Sequence, residues 1–226
     1  MRCLIVASWI VLWPLTSASA QVSIQIGPPN LSIGINIPTY PQLVQVPGCP
    51  VYYAPSVASN YFFYDGAYWV FERDNWHVSP WYNGPWSLVP PQAVPVYILR
   101  VPVKYYRRPP PNFHGWSRSE PPRWGEHWGK DWQEYRSGWE WNRKSAPPPA
   151  PLPAYQKGYA GERYPHQEQQ PVVHSEHYQY QPRDATVQQA YQAHGIHGGP
   201  PSNGPQHDQG HQGQPKGEGK GKEHGK

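Results

Sequence analysis

The chain lacks the motifs by which enzymes usually announce their chemistry. It has no G-x-S-x-G elbow, no phosphate-binding P-loop, no dinucleotide fingerprint and no H-E-x-x-H pair. Hydrolase, nucleotide-dependent and zinc-protease chemistry therefore have no visible residues to carry them. Asp65 and Asp74 sit in turn contexts, which explain them without catalysis. The expectation is a non-catalytic protein with no cofactor.

Cysteine is nearly absent, with only Cys3 and Cys49 in 226 residues. Long apolar runs are limited to the N-terminus, where Arg2 precedes an apolar stretch from Cys3 to Leu15 and a small-residue site at Ala18-Ser19-Ala20. That order is the pattern of a secretory signal peptide cleaved after Ala20, and the run is shorter than the ~20 residues a membrane span needs. Residues 1–20 are read as that signal, and the location expected is periplasmic or extracellular, with no transmembrane span after cleavage. Cys49 is then a lone thiol, which excludes an internal disulfide. It reads as a small apolar residue in the Pro47-Gly48-Cys49-Pro50 turn.

Charge of one sign is scarce too. The formal net charge is +4, and residues 21–145 hold eleven Lys or Arg against eight Asp or Glu. That bias is too small to point to nucleic acid.

Aromatic residues are abundant by contrast. All ten tryptophans beyond the first twenty residues lie between Trp69 and Trp141. Rings bury more area per residue than any other side chain, so this block marks where the chain folds or binds. Within 51–111, Tyr61-Phe62-Phe63-Tyr64, Asp65-Gly66 and Ala67-Tyr68-Trp69-Val70-Phe71 form a hairpin signature, because Asp-Gly accepts the positive φ of a type I′ turn. Glu72-Arg73-Asp74-Asn75 makes a second turn into Trp76-His77-Val78-Ser79. The fold class expected is mainly β: a small aromatic-rich antiparallel meander or SH3-like sheet with one C-terminal helix and a long disordered tail.

The flanks complete the plan. Residues 21–50 alternate apolar and polar (Val22, Ile24, Ile26; Leu31, Ile33, Ile35, Ile37), a strand signal broken by proline. Val94 to Val103 reads equally as extended or as one turn of helix. Residues 112–145 are read as a helix with Trp128, Trp132, Tyr135 and Trp139 on one face, Ser119 as cap and Pro121-Pro122 in the first turn. Residues 146–226 open on a polyproline-type linker and continue rich in Gln, Gly, His and Tyr. They are expected to be disordered for want of aliphatic surface.

Trp81-Tyr82-Asn83-Gly84-Pro85-Trp86 matches the short W-x-x-G-x-W unit of bacterial exported repeat proteins, and Tyr64-Asp65-Gly66-Ala67-Tyr68-Trp69 looks like a degenerate copy. The block from Tyr61 to Trp141 resembles uncharacterised proline- and tryptophan-rich exported proteins of proteobacteria. The resemblance implies a Gram-negative envelope location and no particular chemistry.

Three features are candidate sites. A meander and one helix cannot bury ten tryptophans, so Trp81, Tyr82 and Trp86 are expected to present rings to an envelope glycan or protein, against the alternative of a compact core. Arg100, Lys104 and Arg108 share one side if their segment is extended, and with Tyr105 and Tyr106 they suit an acidic partner; a solvated face is the plainer reading. In the tail, His174 and His177, His194 and His197, and His207 and His211 are spaced to share Zn²⁺, Cu²⁺ or Ni²⁺ weakly. The functional expectation is an envelope structural or interaction protein. The alternative is a metal-binding periplasmic protein acting through its histidines.

Overall fold

A computed structural model describes residues 26–29, 33–130, 132 and 146–197. The signal segment 1–20, the alternating residues Val22, Ile24 and Leu31, and residues 198–226 with His207 and His211 lie outside the described residues.

The chain is mainly β. Six strands run β1 (Val44–Gln45), β2 (Tyr52–Tyr53), β3 (Asn60–Tyr64), β4 (Ala67–Glu72), β5 (Asn75–Ser79) and β6 (Ser87–Val89). Their spatial order is their sequence order, and every pair is antiparallel. The β3–β4 turn takes φ of 52° at Asp65 and 93° at Gly66, the left-handed pair that an Asp-Gly hairpin supplies. The β4–β5 turn repeats this with Arg73 at 50° and Asp74 at 62°, without a glycine.

Period two sends the rings of these strands to opposite faces. Phe62 faces Trp69, and Trp69 faces Val78, on one side. Tyr61 faces Val70, and Phe63 faces Tyr68, on the other. Because Tyr-Phe-Phe-Tyr and Tyr-Trp-Val-Phe are aromatic or β-branched at every position, both faces are apolar and both must be covered. The central strands are buried on both sides.

The first face is covered by the chain after β6. α1 (Val96–Leu99), the 3₁₀ turn Pro111–Phe113 and α2 (Trp124–Trp128) bring Ile98, Leu99, Phe113 and Trp124 onto it. Trp124 donates from Nε1 to Leu99 O at 2.9 Å and meets Phe71 edge-on at 5.3 Å. The second face is covered by the extended stretch with Ile33, Ile35 and Ile37, and by Ala150, Leu152 and Tyr164.

Three expectations are corrected. The N-terminal alternation does not build its own strands in 33–43. That stretch stays extended beside the sheet, and Pro38 and Pro41 lack the N–H groups a ladder needs. The helix expected over 112–145 begins only at Trp124, has no side-chain cap, and is broken at Gly129 (φ 87°) between Trp124–Trp128 and the helical residues Lys130 and Trp132. Before it, 111–123 is a 3₁₀ turn and proline-punctuated coil. Trp128 stacks on Trp124 at 4.5 Å and Trp132 is buried, whereas Tyr135 and Trp139 lie outside the described residues. The segment 94–103 resolves into α1 followed by a bend and a 3₁₀ turn.

The third correction is the largest. Residues 146–197 are an ordered arm, not a disordered tail. It carries α3 (Gln170–His177) and α4 (Ala185–Ala193), and it buries Val187, Ala190, Tyr191 and Ile196 against the sheet. Poor in aliphatics, the arm is held by polar side chains with specific partners. Gln156 is fully buried: its Oε1 accepts from the Tyr68 hydroxyl at 3.0 Å and from Tyr82 N at 3.2 Å, and its Nε2 donates to Pro80 O at 3.0 Å. Asp65, in the β3–β4 turn, accepts from the Tyr180 hydroxyl and from the backbone N–H groups of Arg183 and Asp184, each at 2.7 Å. Asp184 in turn caps α4, accepting from Thr186 N at 2.9 Å. Prolines along the arm restrict its unfolded ensemble and lower the entropy lost on docking.

Candidate binding surface

The aromatic turn expected to meet a ligand is interior. Trp81 and Tyr82 are 0% exposed and Trp86 is 2% exposed. Trp81 meets Tyr155, Tyr159 and Tyr164 edge-on at 5.7–5.8 Å. The Tyr82 hydroxyl donates to Tyr159 O at 2.6 Å, and the Tyr164 hydroxyl donates to Gly84 O at 2.6 Å. Asn83 Oδ1 accepts from Ile37 N at 2.7 Å. The turn is thus a hub to which both the N-terminal stretch and the C-terminal arm are tied. The arm supplies the cover that a meander and one helix lack.

The basic stripe is not one stripe. Val103–Tyr105 is a 3₁₀ turn, which rotates successive side chains by ~120° instead of alternating them. Arg100, Lys104 and Arg108 consequently line three different depressions. Other residues join Lys104 instead. Three prolines at 109–111 turn the chain back, so that Val103 N donates to Glu120 O at 3.0 Å and Lys104 N to Arg118 O at 2.9 Å.

The product is a groove of about 620 Å³ with Lys104, Arg107, Arg118 and His114 around it. Tyr106, Phe113 and Trp116 give it an aromatic wall, with Phe113 and Trp116 stacked at 4.8 Å and 28°. No carboxylate is among the described residues that line it. Lys104, Arg107 and Arg118 are exposed, while Tyr106 and Phe113 are buried and Trp116 is half-buried. Lys104 Nζ also lies 5.2 Å from the Tyr105 ring centroid. Three cations with no anion among them set up a local positive potential over a rigid aromatic wall. Arg118, His114 and Trp116 escape a sequence reading because 3₁₀ turns and prolines, not a periodic element, bring them to Lys104.

The histidines do not converge. His174 Nδ1 lies 2.9 Å from the Tyr155 hydroxyl, and His194 Nε2 lies 3.3 Å from Ser87 Oγ. Burial pushes the His174 pKa down to about 3, with proximity to His194 adding to the effect, and pushes His194 down to about 4. His177 is exposed, stacks on Tyr155 and holds Val173 O at 2.9 Å; His197 is exposed. Among the described residues no group of three His, Cys, Asp or Glu side chains could hold a metal ion. The pairing expected of His174 with His177 and of His194 with His197 is thus overridden by burial of one member of each pair.

Among the described residues no helix is long and apolar enough to cross a membrane. Compared with known proteins, the chain matches no family model, no curated sequence and no solved structure.

Proposed function

We propose that this is a non-catalytic interaction protein of the bacterial envelope that binds an anionic glycan in the Lys104–Arg118 groove. The observation carrying the reading is the groove itself: three exposed cations and an imidazole beside a stacked Phe113–Trp116 pair, with no carboxylate among the described lining residues. Guanidinium and ammonium groups bind carboxylate or phosphate substituents through charge-assisted hydrogen bonds. An indole face covers the apolar side of a sugar ring. The signal-like N-terminus supports an envelope location.

Co-sedimentation of the full chain with purified cell-wall sacculi tests the proposal. The wild-type chain binds saturably, and binding weakens as salt rises. The triple variant K104E/R107E/R118E keeps its circular dichroism spectrum and stays in the supernatant. Equal binding by the folded triple variant would refute the assignment.

A further inference from the structure

The groove is the middle one of three depressions in a row. On one side it shares Trp116 with a depression of about 480 Å³ that includes Arg100 and Arg123. On the other it shares Pro109, Pro110 and Pro111 with a depression of about 600 Å³ that includes Arg73 and Arg108. The three therefore adjoin one another through shared lining residues and make up a belt of neighbouring depressions. Trp116 stands on one ridge and the three prolines on the other.

Charge is unevenly spread along this belt. The middle is cationic without a carboxylate among its described lining residues. The flanks are balanced. Glu120 and Glu126 accompany Arg100 and Arg123 in the first, where Arg123 and Glu126 pair at 3.3 Å. Glu72 and Asp74 accompany Arg73 and Arg108 in the other, where Asp74 lies 2.6 Å from His127 Nε2. A polymer charged on every unit would meet carboxylates at both ends. A polymer with neutral, hydroxyl-bearing units on either side of an acidic one would meet donors and acceptors there, and cations in the middle.

Resting on the glycan-binding reading above, we infer that the ligand is a linear glycan with acidic groups on only some of its sugars, and that it spans all three depressions. Rigid proline and tryptophan ridges separate the depressions, so a chain that reaches the flanks gains contacts at little further ordering cost. Linked contacts of this kind multiply in affinity.

The experiment titrates the full chain with hyaluronan oligosaccharides, in which acidic and neutral sugars alternate, and with oligogalacturonates, in which every sugar is acidic. Affinity for hyaluronan is expected to rise at least about tenfold from tetrasaccharide to octasaccharide. The galacturonate octasaccharide is expected to bind more weakly than its hyaluronan counterpart. The double variant R108A/R123A, altered only at exposed flank side chains, is expected to abolish the length gain and leave tetrasaccharide affinity unchanged. A hyaluronan series with no length gain, in a chain that still binds sacculi through Lys104, Arg107 and Arg118, would overturn the spanning inference and leave the groove assignment standing. Tighter binding of the galacturonate octasaccharide would overturn the sparse-charge inference alone. Failure to bind either series or sacculi would overturn both readings.

Discussion

The Tyr180 hydroxyl donates to Asp65, a residue 115 positions earlier in the chain. Asp65 first makes the β3–β4 hairpin, through its positive φ, and then serves as the dock for the arm. One carboxylate thus joins a two-residue hairpin turn to a segment more than a hundred residues away.

Replacing it tests that union. Asp65→Asn keeps a residue that tolerates positive φ but removes the charge and one acceptor oxygen. The cost expected is about 1 to 3 kcal/mol, the range for charge-assisted and buried hydrogen bonds. Limited proteolysis should cut the variant near Arg183 at protease levels that leave the wild type intact. An unchanged cleavage pattern would show that the arm is held elsewhere.

Burial lowers the pKa of His77, His174 and His194, and the two held furthest down, His174 and His194, make stability depend most on acid. In the unfolded chain each takes a proton near its ordinary pKa of about 6.5, while in the fold His174 and His194 are held at about 3 and about 4. Above pH 6.5 both states are neutral and neither histidine affects stability. As pH falls below 6.5 the unfolded chain binds protons that the fold refuses. Stability is then lost at up to about 1.4 kcal/mol per pH unit for each histidine. Urea titrations between pH 6.5 and 5 should show this decline, and the double variant H174Q/H194N should make it shallower, leaving the part due to His77.

Trp86 is a core residue, so its expected contribution is to stability. It is buried and meets Tyr61 edge-on at 6.1 Å. Trp86→Ala should destabilise the fold by about 3 to 5 kcal/mol. At a temperature where it remains folded, its affinity for sacculi should equal that of the wild type. A specific loss of affinity in a folded Trp86→Ala chain would return the binding role to the turn.

What was legible in the sequence was what is local. Asp65-Gly66 between two aromatic runs specifies a hairpin within six residues on either side, and β3, β4 and β5 lie where those runs predict. Trp124–Trp128 was foreshadowed by the tryptophan spacing, but Gly129 at φ 87° interrupts the helix before Lys130 and Trp132, a break that spacing alone does not show. The arm was illegible because composition counts aliphatic surface, whereas its attachment depends on single partners. Gln156 reaches Tyr82 from 74 residues away, and Tyr191 donates to Gly66 O from 125. The groove was half legible. Lys104 and Arg107 stand out as basic residues, yet an extended segment would have grouped Lys104 with Arg100 and Arg108. The 3₁₀ turn at Val103–Tyr105 groups it with Arg118 instead.

The most direct measurement is amide hydrogen exchange on the full chain with and without solubilised sacculus glycan strands. Binding in the Lys104–Arg118 groove predicts new protection centred on residues 103–118, extending to 72–74 and 120–126 where a long strand reaches the flanking depressions, with the already buried turn at 81–86 unchanged. New protection centred on 81–86 or on the histidines of the arm, with none at 103–118, would contradict it.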